Sequence, residues 1–361
     1  MYIFYYALRI LASAAKHKNL KKTDLYRGWK MYRDTDSHKT GVAKKTILKV
    51  LSDLNKIAKH FKCFPDTYFR FGMYMKTWND MHTMMSFLPQ TAYGRSTINK
   101  TKHTVLIDDK IIFHDIMSYY GFPVPERFFI YRDGEFRQGN NILSDSEVDS
   151  IIREINDQRI FVKRFTGGAA SGISIFTRKP DGSYIDKRGE IVSAKMIRTH
   201  YSNEGYIFER ALVQENELAQ FNPDTVNTIR VLTNDKSIVA ATIRFGGKGA
   251  FVDNTAAGGV AVDLDIQSGK LGDFGMREYD LQHYYKHPGS GITFAGHKCS
   301  QWPRVKKLVE NVLKVMPYYK SVGFDVATTP SGPVIIEINT GAGIYLSQMG
   351  KTKGIADKFG Y

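Results

Sequence analysis

The sequence predicts an α+β protein with a basic, mostly helical region over residues 1–100. Two observations predict it. Apolar residues recur at helical spacing near the N-terminus, and from about residue 101 the pattern changes to short β-branched and aromatic runs separated by turn residues and isolated helices. Charge marks the same division: 51 Lys and Arg against 36 Asp and Glu make the chain +15 overall. Residues 1–70 hold 16 Lys/Arg and five Asp, a balance of +11. With 361 residues and 42% hydrophobic content, the chain exceeds one small core and is read as two domains or one multilayered unit. Its aromatics and the absence of low-complexity tracts exclude a disordered class. Cys63 and Cys299 supply no disulfide framework, which suits a reducing cytoplasm. No run reaches the roughly 18–20 apolar residues of a membrane span. Met1 to Ala15 is interrupted by Arg9 and followed by positive charge, the reverse of a secretory signal, so it is expected to be retained.

The elements follow in order. Tyr2 to about Tyr32 reads as helical, and its aromatics beside Lys16, Lys18, Lys21 and Lys22 suit either an interfacial membrane helix or a packed helix with a wet basic face. Residues 41–62 place Ile47, Val50, Leu51, Leu54, Ile57, Ala58 and Phe61 on one stripe, an amphipathic helix. A helix over Asp109 to Tyr120 ends at Gly121, where Pro123 and Pro125 force an extended segment. Ser144 and Glu147 form a capping box before a helix carrying Val148, Ile151, Ile152 and Ile155. A strand from Arg159 to Phe165 runs into residues 166–172, TGGAASG, and a hairpin follows around Pro180-Asp181-Gly182. Strands are expected at Tyr206 to Gln214, Thr228 to Thr233, Ile238 to Phe245 and Gly259 to Leu264. A helix begins near Pro303, with Pro in the first turn, and Gly323 to Val326 precedes a turn at Pro330 to Gly332 and a strand from Pro333 to Asn339.

Two groups of residues can carry chemistry. Lys163 precedes Thr166, Gly167, Gly168, Ala169, Ala170, Ser171 and Gly172, a loop of small residues that can bring several amides to phosphate oxygens. It is neither a Walker loop nor a dinucleotide fingerprint, since no Gly-Lys-Ser/Thr and no helix follow. Without a ligand it would be a plain glycine-rich hairpin loop. Asp325 lies on one strand, and Glu337 and Asn339 lie on one face of the next by the two-residue period. These hard oxygen donors suit Mg²⁺, and the surrounding Val334, Ile335, Ile336 and Ile338 argue against a merely solvated edge.

A lysine and glycine loop, followed about 160–175 residues later by an Asp and a Glu-x-Asn, resembles the ATP-grasp superfamily. The resemblance covers about residues 105–350 and extends to Lys110 in IDDK, before a helix and the Gly121 to Pro125 segment, and to Lys163 in FVKRF. More narrowly, QENELAQFNPDTVNTIRVLT, Gly258-Gly259, HPGSG and VGFDVATTPSGPVIIEINTGAG look like the branch associated with sugar transfer and surface-polysaccharide gene clusters. The family loop usually ends in glycines, and Ala169-Ala170-Ser171 departs from it.

That resemblance implies an ATP-grasp fold, two α/β subdomains clamping ATP, behind the basic helical region. Its expected boundaries are 1–100, 101–212 with the glycine-rich loop, and 213–361 with the metal site. It implies that Lys110, Lys163, Thr166, Gly167, Gly168, Ser171 and Gly172 hold the phosphates, while Gln214, Glu215, Asn216 and Glu217 hold adenine and ribose. Asp325, Glu337 and Asn339 would hold two Mg²⁺ ions, with Mn²⁺ an alternative. For oxyanion stabilisation the candidates are Arg230 and then Arg244, each alternatively a structural ion-pair residue; His287 is a candidate base or a structural ring, and Asn227 with Thr228 either orients substrate or caps a strand. The implied reaction is carbon–nitrogen ligation through an acyl phosphate, ATP giving ADP and phosphate, with a carboxylate and an amine that are free, sugar-linked or lipid-linked. Alternatives are a peptide ligase unrelated to glycans and a basic polyanion- or membrane-binding module on an inactive core. Nucleic acid is not the expected partner. The expected location is cytoplasmic, with residues 1–70 touching an anionic glycan or the inner membrane face.

Overall fold

A computed structural model describes residues 2–8, 23–36, 41–97, 102–165, 172–201, 205–250, 252–253, 258–277 and 280–361. The strands among them are β1 Arg127–Arg132, β2 Glu135–Gln138, β3 Asn141–Leu143, β4 Arg159–Arg164, β5 Ile173–Arg178, β6 Tyr184–Ile185, β7 Tyr206–Arg210, β8 Thr228–Asn234, β9 Ser237–Phe245, β10 Val260–Leu264, β11 Leu271–Met276, β12 Gly323–Thr329 and β13 Gly332–Asn339. They are distributed over two compact units.

One unit contains residues 101–216 and 324–339. Its sheet runs β3-β2-β1-β7-β4-β5-β6, and the described pairings are antiparallel. Phe129 on β1 faces Phe208 on β7 in register, and their rings stack at 4.4 Å. That contact centres a core with Phe136, Phe176, Val148 and Ile152, the last two supplied by the Asp145–Glu154 helix. This helix carries the expected capping box: Ser144 accepts from the Glu147 amide, and Glu147 accepts from the Ser144 amide at 2.7 Å. The Lys110–Tyr119 helix starts one residue later than expected because Asp109 is its cap, accepting from the amides of Ile111 and Ile112 at 2.9 and 3.1 Å. β12 and β13 neighbour each other as the expected hairpin.

The other unit contains residues 1–100, 217–323 and 340–361. Residues 1–100, read from the sequence as a separate region, thus group with the later segments. Ile57, Phe61, Tyr68, Tyr74 and Phe87 share a core with Leu232, Ala240, Ile344 and Phe359. The Gln348 carboxamide locks the two ends together, accepting from the Leu88 amide at 2.8 Å and donating to the Leu88 carbonyl at 3.0 Å. β8 to β11 lie in the order β11-β10-β9-β8, antiparallel throughout. Several elements escaped the sequence: β11, and the helices Asp66–Arg70, Met81–Met85, Gln90–Thr97 and Ala194–His200. Most are too short to develop a period. The expected strand to Gln214 ends at Arg210, and residues 211–215 are irregular.

Candidate functional site

The site in the unit of residues 101–216 and 324–339 is built around two lysines. The short helix Val105–Asp108 packs on β13, and the Asp109 cap then starts the helix whose first residue is Lys110. The Ile335 amide donates to the Pro123 carbonyl at 2.9 Å, tying β13 to the segment after that helix. The result sets Lys110 Nζ 3.3 Å from Glu337 Oε1. The Lys110 backbone is fixed as well, donating to the Phe165 carbonyl at 3.2 Å. Phe165 directly follows the strand that carries Lys163, so one hydrogen bond couples the two lysine-bearing segments.

Lys163 has a partner that the sequence did not suggest. Its Nζ lies 2.6 Å from Glu209 Oε2, and both side chains are largely buried. The register explains the pair: Lys163 is opposite Ile207, which puts Glu209 two residues along on the same face of β7. A lone carboxylate in the apolar run Tyr206-Ile207-Phe208 was the available signal. Thr166, Gly167, Gly168 and Ser171 lie outside the described residues. Gly172, which closes that loop, has φ +83°, and a Cβ there would sit 2.5 Å from Arg164 Cδ.

The expected adenine segment is held by hydrogen bonds to Thr328 rather than by regular strand pairing. The Glu215 amide donates to the Thr328 carbonyl at 3.1 Å, and Thr328 Oγ1 donates to Glu215 Oε1 at 3.1 Å. Gln214 and Asn216 flank it, and Asn216 opens the short helix Asn216–Ala219. Glu217 belongs to the other unit, where its Oε2 accepts from the Ser300 amide at 2.8 Å.

Asp325 on β12 is buried, and Glu337 and Asn339 alternate along β13. Two carboxylates and a carboxamide are hard oxygen donors of the kind Mg²⁺ takes. Asn339 also buries Nδ2 with no hydrogen-bond partner among the described residues. Among the described residues no three His, Cys, Asp or Glu side chains converge as a metal site. A cation here would therefore draw on Asn339, water and phosphate oxygens as well as the two acids.

The other candidates lie in the unit of residues 1–100, 217–323 and 340–361. Arg230 is buried on β8, where every residue is buried. Arg244 on β9 is opposite Thr228 and donates to Thr228 Oγ1 through Nε and Nη2 at 3.1 and 2.7 Å. Asp253 completes the cluster, 3.4 Å from Arg244 Nε and accepting from the Thr228 amide at 2.9 Å. Thr228 thus has a strand-locking role, and so has Asn227, which donates to the carbonyls of Leu218 and Asn222 and accepts from the Gly246 amide. His287 is buried too. One ring nitrogen lies 2.9 Å from the Gly246 carbonyl, and the other accepts from the amides of Gly289 and Ser290 at 3.3 and 3.1 Å. Burial holds its pKa below the ordinary value. With Nδ1 accepting and Nε2 donating, no lone pair is left for an amine, and the ring serves the loop.

The model of the family described as sugar-transfer associated ATP-grasp matches residues 90–359. Among solved structures, the chain is similar to D-alanine–D-alanine ligase from Bacillus anthracis at 14% identity, covering 65% of this chain and 57% of that one with a TM-score of 0.35. A RimK domain ATP-grasp protein from Sphaerobacter thermophilus DSM 20745 is 13% identical over 70% of this chain and 67% of that one, TM-score 0.38. The ATP-grasp ligase PsnB, complexed with a minimal precursor, is 12% identical over 72% and 62%, TM-score 0.38. The chain thus spans little more than half the length of the Bacillus anthracis ligase. No curated protein sequence matches it.

Proposed function

We propose that this chain, which belongs to the sugar-transfer associated ATP-grasp family, is an ATP-dependent ligase that activates a carboxylate as an acyl phosphate and joins it to an amine. The observation that carries the reading is the meeting of Lys110 with Glu337 at 3.3 Å, beside Asn339 on the same strand. A cation and a carboxylate so placed serve phosphoryl transfer, where charge grows on the γ-phosphoryl oxygens and fixed positive groups must already surround it. Lys110 and Lys163 supply two such groups. Bound Mg²⁺, held by Asp325, Glu337 and Asn339, would add charge neutralisation at the β- and γ-phosphates.

Attack of the carboxylate oxygen on the γ-phosphorus breaks the bond to the β-phosphate oxygen and releases ADP. Attack of the amine nitrogen on the acyl carbon then expels phosphate and leaves an amide. Arg230, buried on its strand, is the residue assigned to the developing oxyanion. Gln214, Glu215, Asn216 and Glu217 are assigned to adenine and ribose on the resemblance alone. The words sugar-transfer in the family description support a sugar or uronic acid as one reactant; an amino acid or other amine as the second and a surface polysaccharide as the destination complete the proposal. The test is ADP and phosphate release by purified protein against paired panels of carboxylates and amines. A pair-dependent rise in ADP with amide product supports the reading; AMP and pyrophosphate, or turnover by Glu337→Gln equal to the parent, would overturn it.

A further inference from the structure

We propose that the outward face of the N-terminal helices docks on an anionic lipid bilayer, so that the protein works at a membrane surface. Two independent observations meet there. The first is charge: the sequence of residues 1–70 carries +11 of the chain's +15, and among its described residues Lys30, Lys49, Lys56, Lys59 and Lys62 are exposed. The second is exposed apolar surface. Of 17 large hydrophobic side chains exposed among the described residues, nine fall between Tyr2 and Leu51, about a seventh of the chain.

The exposed groups are organised by the helices that carry them. In residues 2–8, Ile3 turns inward to the core and its amide meets Asn55 Oδ1 at 3.4 Å, while Phe4 and Leu8, one turn apart, face out. In the Ile47–Phe61 helix, Val50, Leu54 and Ile57 are buried, yet Ile47, Leu48 and Leu51 stay exposed, Leu48 at 81%. An amphipathic helix with only a core to satisfy would be polar at these three positions. Trp29 stacks on Tyr32 at 5.6 Å, and Lys44 Nζ lies over the same Tyr32 ring at 5.1 Å. Trp29, Tyr32 and Lys44 are therefore neighbours, and the exposed Ile47 and Leu48 follow three and four residues after Lys44 in the chain. Lys30 adjoins Trp29 in the chain, and Lys56 and Lys59 lie on the helix that carries Leu48; all three are exposed.

Exposed indole and aliphatic side chains on elements that also expose lysines match the interface of an anionic membrane: the apolar groups enter the headgroup boundary and the ammonium groups stay with phosphate. A second copy of this chain is disfavoured because it would appose like charge. A soluble polyanion would use the lysines and leave Leu48 without a role. Among the described residues no helix is long and apolar enough to cross a membrane, and surface docking requires none. The inference stands independently of the ligase reading, because it concerns residues outside the proposed site.

The test is co-sedimentation of the full chain with vesicles of phosphatidylcholine alone and of phosphatidylcholine with phosphatidylglycerol. Binding is expected to the anionic vesicles and to weaken as salt rises from about 0.1 M to about 0.5 M. Leu48→Glu should lower the partition coefficient at least about tenfold, and Lys30→Gln and Lys59→Gln about fivefold each, with thermal unfolding unchanged because all three sites are exposed. Three results would overturn the proposal: no binding of the parent to anionic vesicles; equal binding by Leu48→Glu, which would mark a soluble polyanion site; or concentration-dependent dimers that Leu48→Glu abolishes, which would assign the face to a second copy.

Discussion

Lys110 Nζ and Glu337 Oε1 lie 3.3 Å apart, although 226 residues separate them in the chain. The Asp109 cap and the packing of the preceding helix on β13 bring them together. In the proposed reaction the lysine serves a phosphate and the glutamate a cation, and without nucleotide each neutralises the other. Glu337→Gln keeps the shape and the acceptor oxygen while removing the charge. ATP turnover should fall by roughly 100- to 1,000-fold, and stability should change by no more than about 1 kcal/mol. Steady-state ADP release and urea unfolding measure the two effects, and a large loss of stability would mark Glu337 as a structural residue.

Lys163 requires a different control because Glu209 depends on it. Lys163→Ala would remove a phosphate-binding cation and also strand a carboxylate that is only 8% exposed. We expect a loss of about 3 kcal/mol, so absent activity in that variant would mix two causes. The double variant Lys163→Met/Glu209→Leu removes both charges, and should recover most of the stability without recovering turnover. Recovery of turnover would exclude Lys163 from phosphate binding.

Gly205 supports the same geometry from behind. Its φ is +97°, and a Cβ would fall 1.2 Å from Phe165 Cε1. The Phe165 amide donates to the Gly205 carbonyl at 3.4 Å, and the Phe165 carbonyl accepts from Lys110. Gly205→Ala should therefore cost about 3 kcal/mol. It should also raise the KM for ATP by displacing the backbone between the two lysines, whereas the same stability loss at a remote core site would leave KM alone.

The parts of the fold that could be read from the sequence were local. Ser144 with Glu147, Pro303 in a first turn, and the Pro180 to Gly182 hairpin each specify a backbone conformation within a few residues, and each element formed where expected. The hairpin of β12 and β13 that carries Asp325, Glu337 and Asn339 was legible for the same reason, since two apolar strands flank one turn. Glu209 was not, because its meeting with Lys163 depends on the register between β4 and β7, which is set by strands distant in sequence. For His287 the sequence left a base and a structural ring open, because a loop histidine beside glycines looks accessible, while in the fold the amides of Gly289 and Ser290 occupy its acceptor nitrogen. The packing of residues 1–100 against the C-terminal segment has no local signature either. It rests on contacts such as Gln348 with Leu88, 260 residues apart.

That packing contains a buried acid whose pH dependence can be tested. Asp66 begins the Asp66–Arg70 helix with Oδ1 buried and unpartnered, and burial, aided by the nearby Asp24 charge, pushes its pKa up to about 7 from 3.8. The folded state therefore keeps the proton over a range in which the unfolded chain has released it. Stability contributed by this group is complete below pH 3.8, declines as pH rises, and is gone above about 7. His287 and His283 act in the opposite sense: burial lowers both values below 6.5, so acidification below that point favours the unfolded chain. Asp66→Asn supplies the neutral form at every pH without changing shape. It should stabilise the protein by about 2–4 kcal/mol near pH 8 and by almost nothing near pH 4. Urea midpoints at the two pH values check this; an equal gain at both would mean that Asp66 is not protonated in the folded state, and that its effect comes from packing.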